Sequence, residues 1–268
     1  MIDLTTIQYL LVILSGAIVG LILGLIGGGG SVLAIPLLLY LVGIENLSYY
    51  PKEYLVRIVV GSSALSVGII SLLNGYQHKR LGNLRLKEGL EFAIMGVFGT
   101  FIGSFINNLT NPSLFLLFFG IFMIIISILM IKNSNNNEKI TSNIIMSGKS
   151  PIKIFLLATA VGFASGFFGI GGGFLIVPAL IYTGLCIKKA IGTSLLVVGA
   201  FGIFTSIAYS INGYVDPILS LLFIAGGIIG GRIGIKYSIL LPKTTLRRIF
   251  SIALVIIGAY IIIRAISP

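Results

Sequence analysis

The sequence predicts an all-α, polytopic integral membrane protein made of two inverted repeats, each a glycine-broken helical hairpin followed by three transmembrane helices. Three observations carry that expectation. Apolar residues make up 57% of the 268 positions and charged residues only 9%, against roughly 25% charged in a soluble domain. The apolar residues gather into runs long enough to cross about 30 Å of hydrocarbon. The two halves of the chain also repeat each other, as transporter folds often do.

Taken in order, the apolar runs cover roughly 7–43, 56–74, 89–106, 113–131, 153–186, 190–211, 217–235 and 246–263. Six have the length of one spanning helix. The runs at 7–43 and 153–186 are too long for one helix, and each is cut by glycines, GGGG at 27–30 and GIGGG at 169–173. Each therefore reads as a helix, a break inside the membrane and a short returning helix. The polar stretch 132–150 is a linker rich in Asn, Ser and Lys. It separates a first membrane repeat, 1–131, from a second, 151–268.

Gly20, Gly24, Gly27, Gly29, Gly30, Pro36 and Tyr40 match Gly162, Gly166, Gly169, Gly171, Gly172, Pro178 and Tyr182 at an offset of 142. Eleven extra residues around 44–54 then reduce the offset to 131. At that offset Gly61-Ser62-Ser63 meets Gly192-Thr193-Ser194, and Gly82, Gly96, Gly99 and Gly103 meet Gly213, Gly227, Gly230 and Gly234.

The net charge of +11 does not indicate a nucleic-acid binder, because the basic residues form no face interleaved with aromatic platforms. They lie between apolar runs. If each hairpin returns to its starting side, 15 of the 18 Lys and Arg share one side. The positive-inside rule makes that side cytoplasmic. This predicts a plasma-membrane protein with both termini outside and with halves that run in opposite directions.

The catalytic inventory is thin. There is one cysteine, Cys186, read as a small apolar filler, and one histidine, His78, read as a solvated loop residue. Carboxylates do not cluster, so neither an enzyme nor a metal or cofactor site is expected. Partners are expected to be lipid and a small solute, and a homo-oligomer is left open.

Candidate binding residues follow from the breaks. Consecutive glycines let another backbone or a ligand approach closely. A helix starting after them presents free N–H groups and a partial positive end. Two such ends meeting at mid-depth would hold an anion without a buried Lys or Arg. This singles out Gly27, Gly28, Gly29, Gly30 and Ser31 in the first half, and Gly169, Gly171, Gly172 and Gly173 in the second. Pro36 and Pro178, each six residues past a cluster, would distort the returning helices. Ser62-Ser63 and Thr193-Ser194 are read as opening the next helix of each half, where hydroxyls cap or donate to a ligand. Arg57 and Lys188 are repeat equivalents at opposite mouths. Long basic side chains there ordinarily reach for the interface, and an anion funnel is the alternative.

The segments GLIGGGGSVLAIP and GFFGIGGGFLIVP, with GSS at 61–63, GTS at 192–194 and GN at 82–83 after HKRL, resemble the TauE/SafE family of membrane permeases, also described as sulfite exporters. The resemblance covers about 7–263. It departs from the family pattern at Ser62, where Thr is more usual, at Ser31, which ends the first glycine run, and in the extra segment 44–54. It implies transport, usually outward, of small sulfur-containing or organic anions such as sulfite, sulfonates or sulfoacetate. The leading expectation is thus a secondary transporter for a small anion. The alternatives are a transporter of a neutral or cationic solute, or a membrane-embedded assembly factor or enzyme.

Overall fold

A computed structural model describes residues 4–47, 49–134, 151–169, 171–238 and 243–266, and among these every regular element is helical. The linker lies largely outside the described residues. Helix α1 (Thr6–Ile26) opens with a capping box. The Gln8 amide donates to the Thr5 hydroxyl, and the Gln8 side chain accepts from the Thr5 amide. The helix closes at Gly27, whose φ of 83° only glycine adopts freely.

The chain then returns through a first arm of mixed winding. A 3₁₀ helix covers Gly28–Leu33, α2 is the single turn Ala34–Pro36, and a π turn follows over Leu37–Leu41. A short 3₁₀ turn, Ile44–Asn46, leads to α3 (Lys52–Arg80), α4 (Leu86–Leu109) and α5 (Pro112–Ser134). The second half holds α6 (Pro151–Phe168), α7 (Gly173–Tyr182), α8 (Ile187–Ser210), α9 (Pro217–Ser238) and α10 (Lys243–Ile266). Proline stands first in α5, α6 and α9, where its missing N–H costs nothing.

Among the described residues, eight segments are long and apolar enough to cross a membrane. Large apolar side chains such as Ile94, Phe98 and Phe105 on α4 stay exposed, as lipid-facing positions require. This is a multi-pass membrane protein. Helix α7, at ten residues, is about 15 Å long, half the hydrocarbon thickness.

Small residues set the packing, as expected where lipid removes the hydrophobic drive between helices. Helix α1 lies on α9 with Gly16 against Phe223, Gly20 against Gly227 and Gly24 against Gly231. Helix α6 lies on α4 in the same manner, with Gly162 against Gly96 and Gly166 against Thr100. Residue numbers rise together along both pairs, so each pair is parallel. At the centre α3 crosses α8 antiparallel through Gly68, Gly199 and Gly202, near the middle of both helices. At the periphery α5 packs on α10, with the Ser127 hydroxyl donating to the Ser251 carbonyl at 2.7 Å. Exchanging the halves maps α1·α9 onto α6·α4 and α3·α9 onto α8·α4, and leaves α3·α8 and α5·α10 in place.

Candidate functional site

The two glycine clusters meet beside the α3/α8 crossing. A β-carbon on Gly28 would lie 2.5 Å from the Gly173 Cα, and one on Gly173 would strike the Gly28 carbonyl. Val198, next to Gly199 at the crossing, packs on both Gly28 and Gly171. Gly27–Ser31, Gly169 and Gly171–Gly173 are all buried.

The clusters are wound differently. Gly169, Gly171 and Gly172 all have positive φ (64°, 66° and 62°), whereas in the first cluster only Gly27 does. Gly172 caps α7 in the left-handed region, and its carbonyl accepts from the Leu175 and Ile176 amides. The Gly173 and Phe174 amides therefore head the helix with no acceptor inside it. The first cluster leads straight into the 3₁₀ helix at Gly28, where the Ser31 hydroxyl donates to the Gly28 carbonyl at 2.8 Å. After Gly30 the 3₁₀ winding continues to Leu33, and only the single α turn of α2 follows. The expected pair of converging helix ends is corrected to one helix end, that of α7, facing a 3₁₀ turn.

The hydroxyls also differ from expectation. Ser62-Ser63 and Thr193-Ser194 lie inside α3 and α8 rather than opening them, because α3 begins at Lys52 and α8 at Ile187. Ser63 donates to the Val60 carbonyl at 3.0 Å, and Ser194 to the Ile191 carbonyl at 2.7 Å. Ser194 also accepts from the Gly28 amide at 3.3 Å, which ties the first cluster to the second half. Ser62 and Thr193 form a matched pair of clasps. Ser62 Oγ accepts from the Asp216 amide at 2.8 Å, and Thr193 Oγ1 from the Arg85 amide at 2.9 Å. Asp216 and Arg85 precede α9 and α4, so each central helix holds the entry to a helix of the other half.

Pro36 is buried in the first arm, but Pro178 is exposed on the outer face of α7. Pro178 therefore does not line the junction. His78 is not a loop residue: α3 continues to Arg80 and leaves His78 only 4% exposed, against Gly192. The junction also holds a side chain the motif reading passed over. Ser165 on α6 is fully buried, its hydroxyl has no hydrogen-bond partner among the described residues, and it lies 3.5 Å from where a Gly172 β-carbon would stand. Its place between Gly162 and Gly166 in a small-residue segment is the signal that could have found it.

The sequence has a known counterpart. The model of the sulfite exporter TauE/SafE family matches residues 12–261. The chain belongs to this family. Among its relatives, a probable membrane transporter protein of Xylella fastidiosa strain Temecula1 is 39% identical over 264 residues, covering 97% of both chains. The probable membrane transporter protein YunE of Bacillus subtilis is 29% identical over 270 residues, 95% of this chain and 97% of its own. A probable membrane transporter protein of Haemophilus influenzae is 27% identical over 262 residues, 93% and 96% respectively. No solved structure matches significantly. A TauE/SafE membrane transporter is what the duplicated, glycine-broken fold represents.

Proposed function

We propose that this protein is a secondary transporter that exports a small anion such as sulfite or a sulfonate, bound where the two glycine clusters meet. The observation that carries the reading is the α7 end. Two amides head a helix of ten residues beside a buried, unpartnered serine hydroxyl, Ser165. Amides at a helix N-terminus attract negative charge. They do so without the roughly 2.5–3.5 kcal/mol that insertion scales assign to a cation at the bilayer centre. The glycines hold no β-carbon between the anion and the backbone. The opposed directions of equivalent helices support an inverted repeat, with the basic side in the cytoplasm and both termini outside.

The test is counterflow in proteoliposomes against a panel of sulfite, sulfonates, carboxylates and amino acids. Sulfite or a sulfonate should exchange, and Ser165→Ala should weaken apparent affinity roughly two- to tenfold, the worth of one hydrogen bond. Exchange of only neutral or cationic solutes would sink the anion reading.

A further inference from the structure

A second polar cluster stands away from the glycine junction, near the start of α3. Arg57, half-buried in the second turn, lies over the Tyr214 ring, 5.5 Å from its centroid, and donates to the Tyr214 hydroxyl at 3.2 Å. Tyr54 packs edge-on against the same ring at 6.0 Å. Among the described residues no carboxylate comes within ion-pair distance of Arg57. Glu53 lies one turn earlier on α3, and Asp216, two residues past Tyr214, accepts through its carboxylate from the Ile218 and Leu219 amides at the start of α9.

Behind Arg57 is Tyr209. Its side chain is fully buried and its hydroxyl has no partner among the described residues. The Tyr209 Cβ stands 2.9 Å from where a β-carbon of Gly61 would be. Gly61 is one turn along α3 from Arg57, on the same face. Buried hydroxyls are almost always hydrogen-bonded, so one without a partner calls for a physical reason.

We propose that Arg57, Tyr209 and Tyr214 form an oxyanion-binding station separate from the glycine junction. It takes the same class of small oxyanion on its way to or from that junction, so the inference rests on the transport reading above. The guanidinium offers N–H donors in a fork that matches oxyanion geometry. The Tyr214 hydroxyl accepts from Arg57 and keeps its own proton to donate onward. The Tyr209 hydroxyl is the inner donor that the bound anion satisfies. The repeat contains the same scheme at the offset of 131, where Lys188 corresponds to Arg57 and the buried His78 to Tyr209. Each cation thus stands one turn before a glycine that packs on a buried side chain of the other half, Gly61 on Tyr209 and Gly192 on His78.

The experiment is the concentration dependence of sulfite counterflow for wild type, Arg57→Lys, Arg57→Gln, Tyr209→Phe and Tyr214→Phe. It is run in liposomes of phosphatidylcholine alone and with phosphatidylglycerol. Arg57→Gln should raise the half-saturating concentration about ten- to a hundredfold, and Tyr209→Phe about two- to tenfold, equally in both lipids. Arg57→Lys should recover part of the loss. Unchanged half-saturation in Arg57→Gln and Tyr209→Phe overturns the station while leaving transport intact. An Arg57 effect confined to the anionic lipid overturns it too, since the guanidinium then serves a lipid phosphate. Thermal shift of detergent-purified protein by sulfite, against chloride at equal ionic strength, covers a variant that reconstitutes poorly. The wild-type shift should vanish in Arg57→Gln, and its persistence counts against the station. A wild type that neither exchanges nor is stabilised by any anion removes the transport reading and the station together.

Discussion

The two returning arms begin from the same motif and end as different structures. In the second half, three positive-φ glycines turn the chain sharply, Gly172 caps it, and α7 runs ten residues without interruption through Pro178. In the first cluster only Gly27 has positive φ, and the arm winds as 3₁₀, then one α turn, then a π turn around Pro36. A proline lacks the N–H that would reach the carbonyl four residues back. In α7 the ring faces outward and the helix absorbs the loss near its start. In the first arm Pro36 is buried, and the winding tightens before it and loosens after it. A repeated sequence therefore does not give a repeated ligand surface: one arm presents helix-end amides, and the other is tied down through Gly28 to Ser194 and through Ser31 to Gly28.

Substitutions can break this comparison. The largest effect is expected at the contact between the arms. Gly173→Val should abolish counterflow and lower stability by about 1–3 kcal/mol or more, because its side chain meets the Gly28 backbone and overpacks the junction. Melting of a fluorescent fusion followed by size exclusion measures it. A normal melting temperature would mean that the arms do not touch. Next comes Gly171→Ala, which forces a β-carbon into the left-handed region at a cost of about 1–2 kcal/mol and against Val198 at 2.7 Å.

The clasps sharpen the comparison, since they are equivalent where the arms are not. Ser62→Ala should cost about 1–3 kcal/mol by stranding the buried Asp216 amide. Thr193→Val should cost less, because the Arg85 amide is only partly buried. Equal losses, read from paired melting curves, would contradict that difference in burial. The smallest effect is expected at Gly29, the repeat equivalent of Gly171. Its φ is not positive and a β-carbon there meets nothing closer than 3.6 Å, so Gly29→Ala should stay within about 0.5 kcal/mol of wild type. A large loss there would mean that the first arm carries the binding surface.

Much of this was legible from spacing. Glycine runs too dense for packing alone located both breaks, and the offset of 131 paired Ser62 with Thr193, which make equivalent bonds. Repeat matching has a blind side, however. Ser165 escaped it because its equivalent is Leu23, so the side chain that distinguishes the arms left no trace in the pattern. His78 escaped for another reason. Hydropathy ends this span near residue 74, yet α3 runs on to Arg80, with one face of its polar last turns, Asn74 and His78, covered by Gly231 and Gly192 of the second half. Burial by a distant segment is a tertiary fact that a local window does not contain. The winding of the first arm is of the same kind, since two prolines at the same spacing differ only in what surrounds them.

The parallel pairing of α1 with α9 has a consequence for how the protein is made. The glycine face of α1 is completed by residues near 223–234, about two hundred positions later in the chain. A ribosome releases α1 into the bilayer well before that surface exists. Helix α1 must wait in lipid with only the first arm and α3 among its final partners, until the penultimate helix arrives. Maturation is therefore gated by the end of synthesis, and a chain stopped after α8 would leave the glycine face of its first helix open to whatever other small-residue helix the membrane holds.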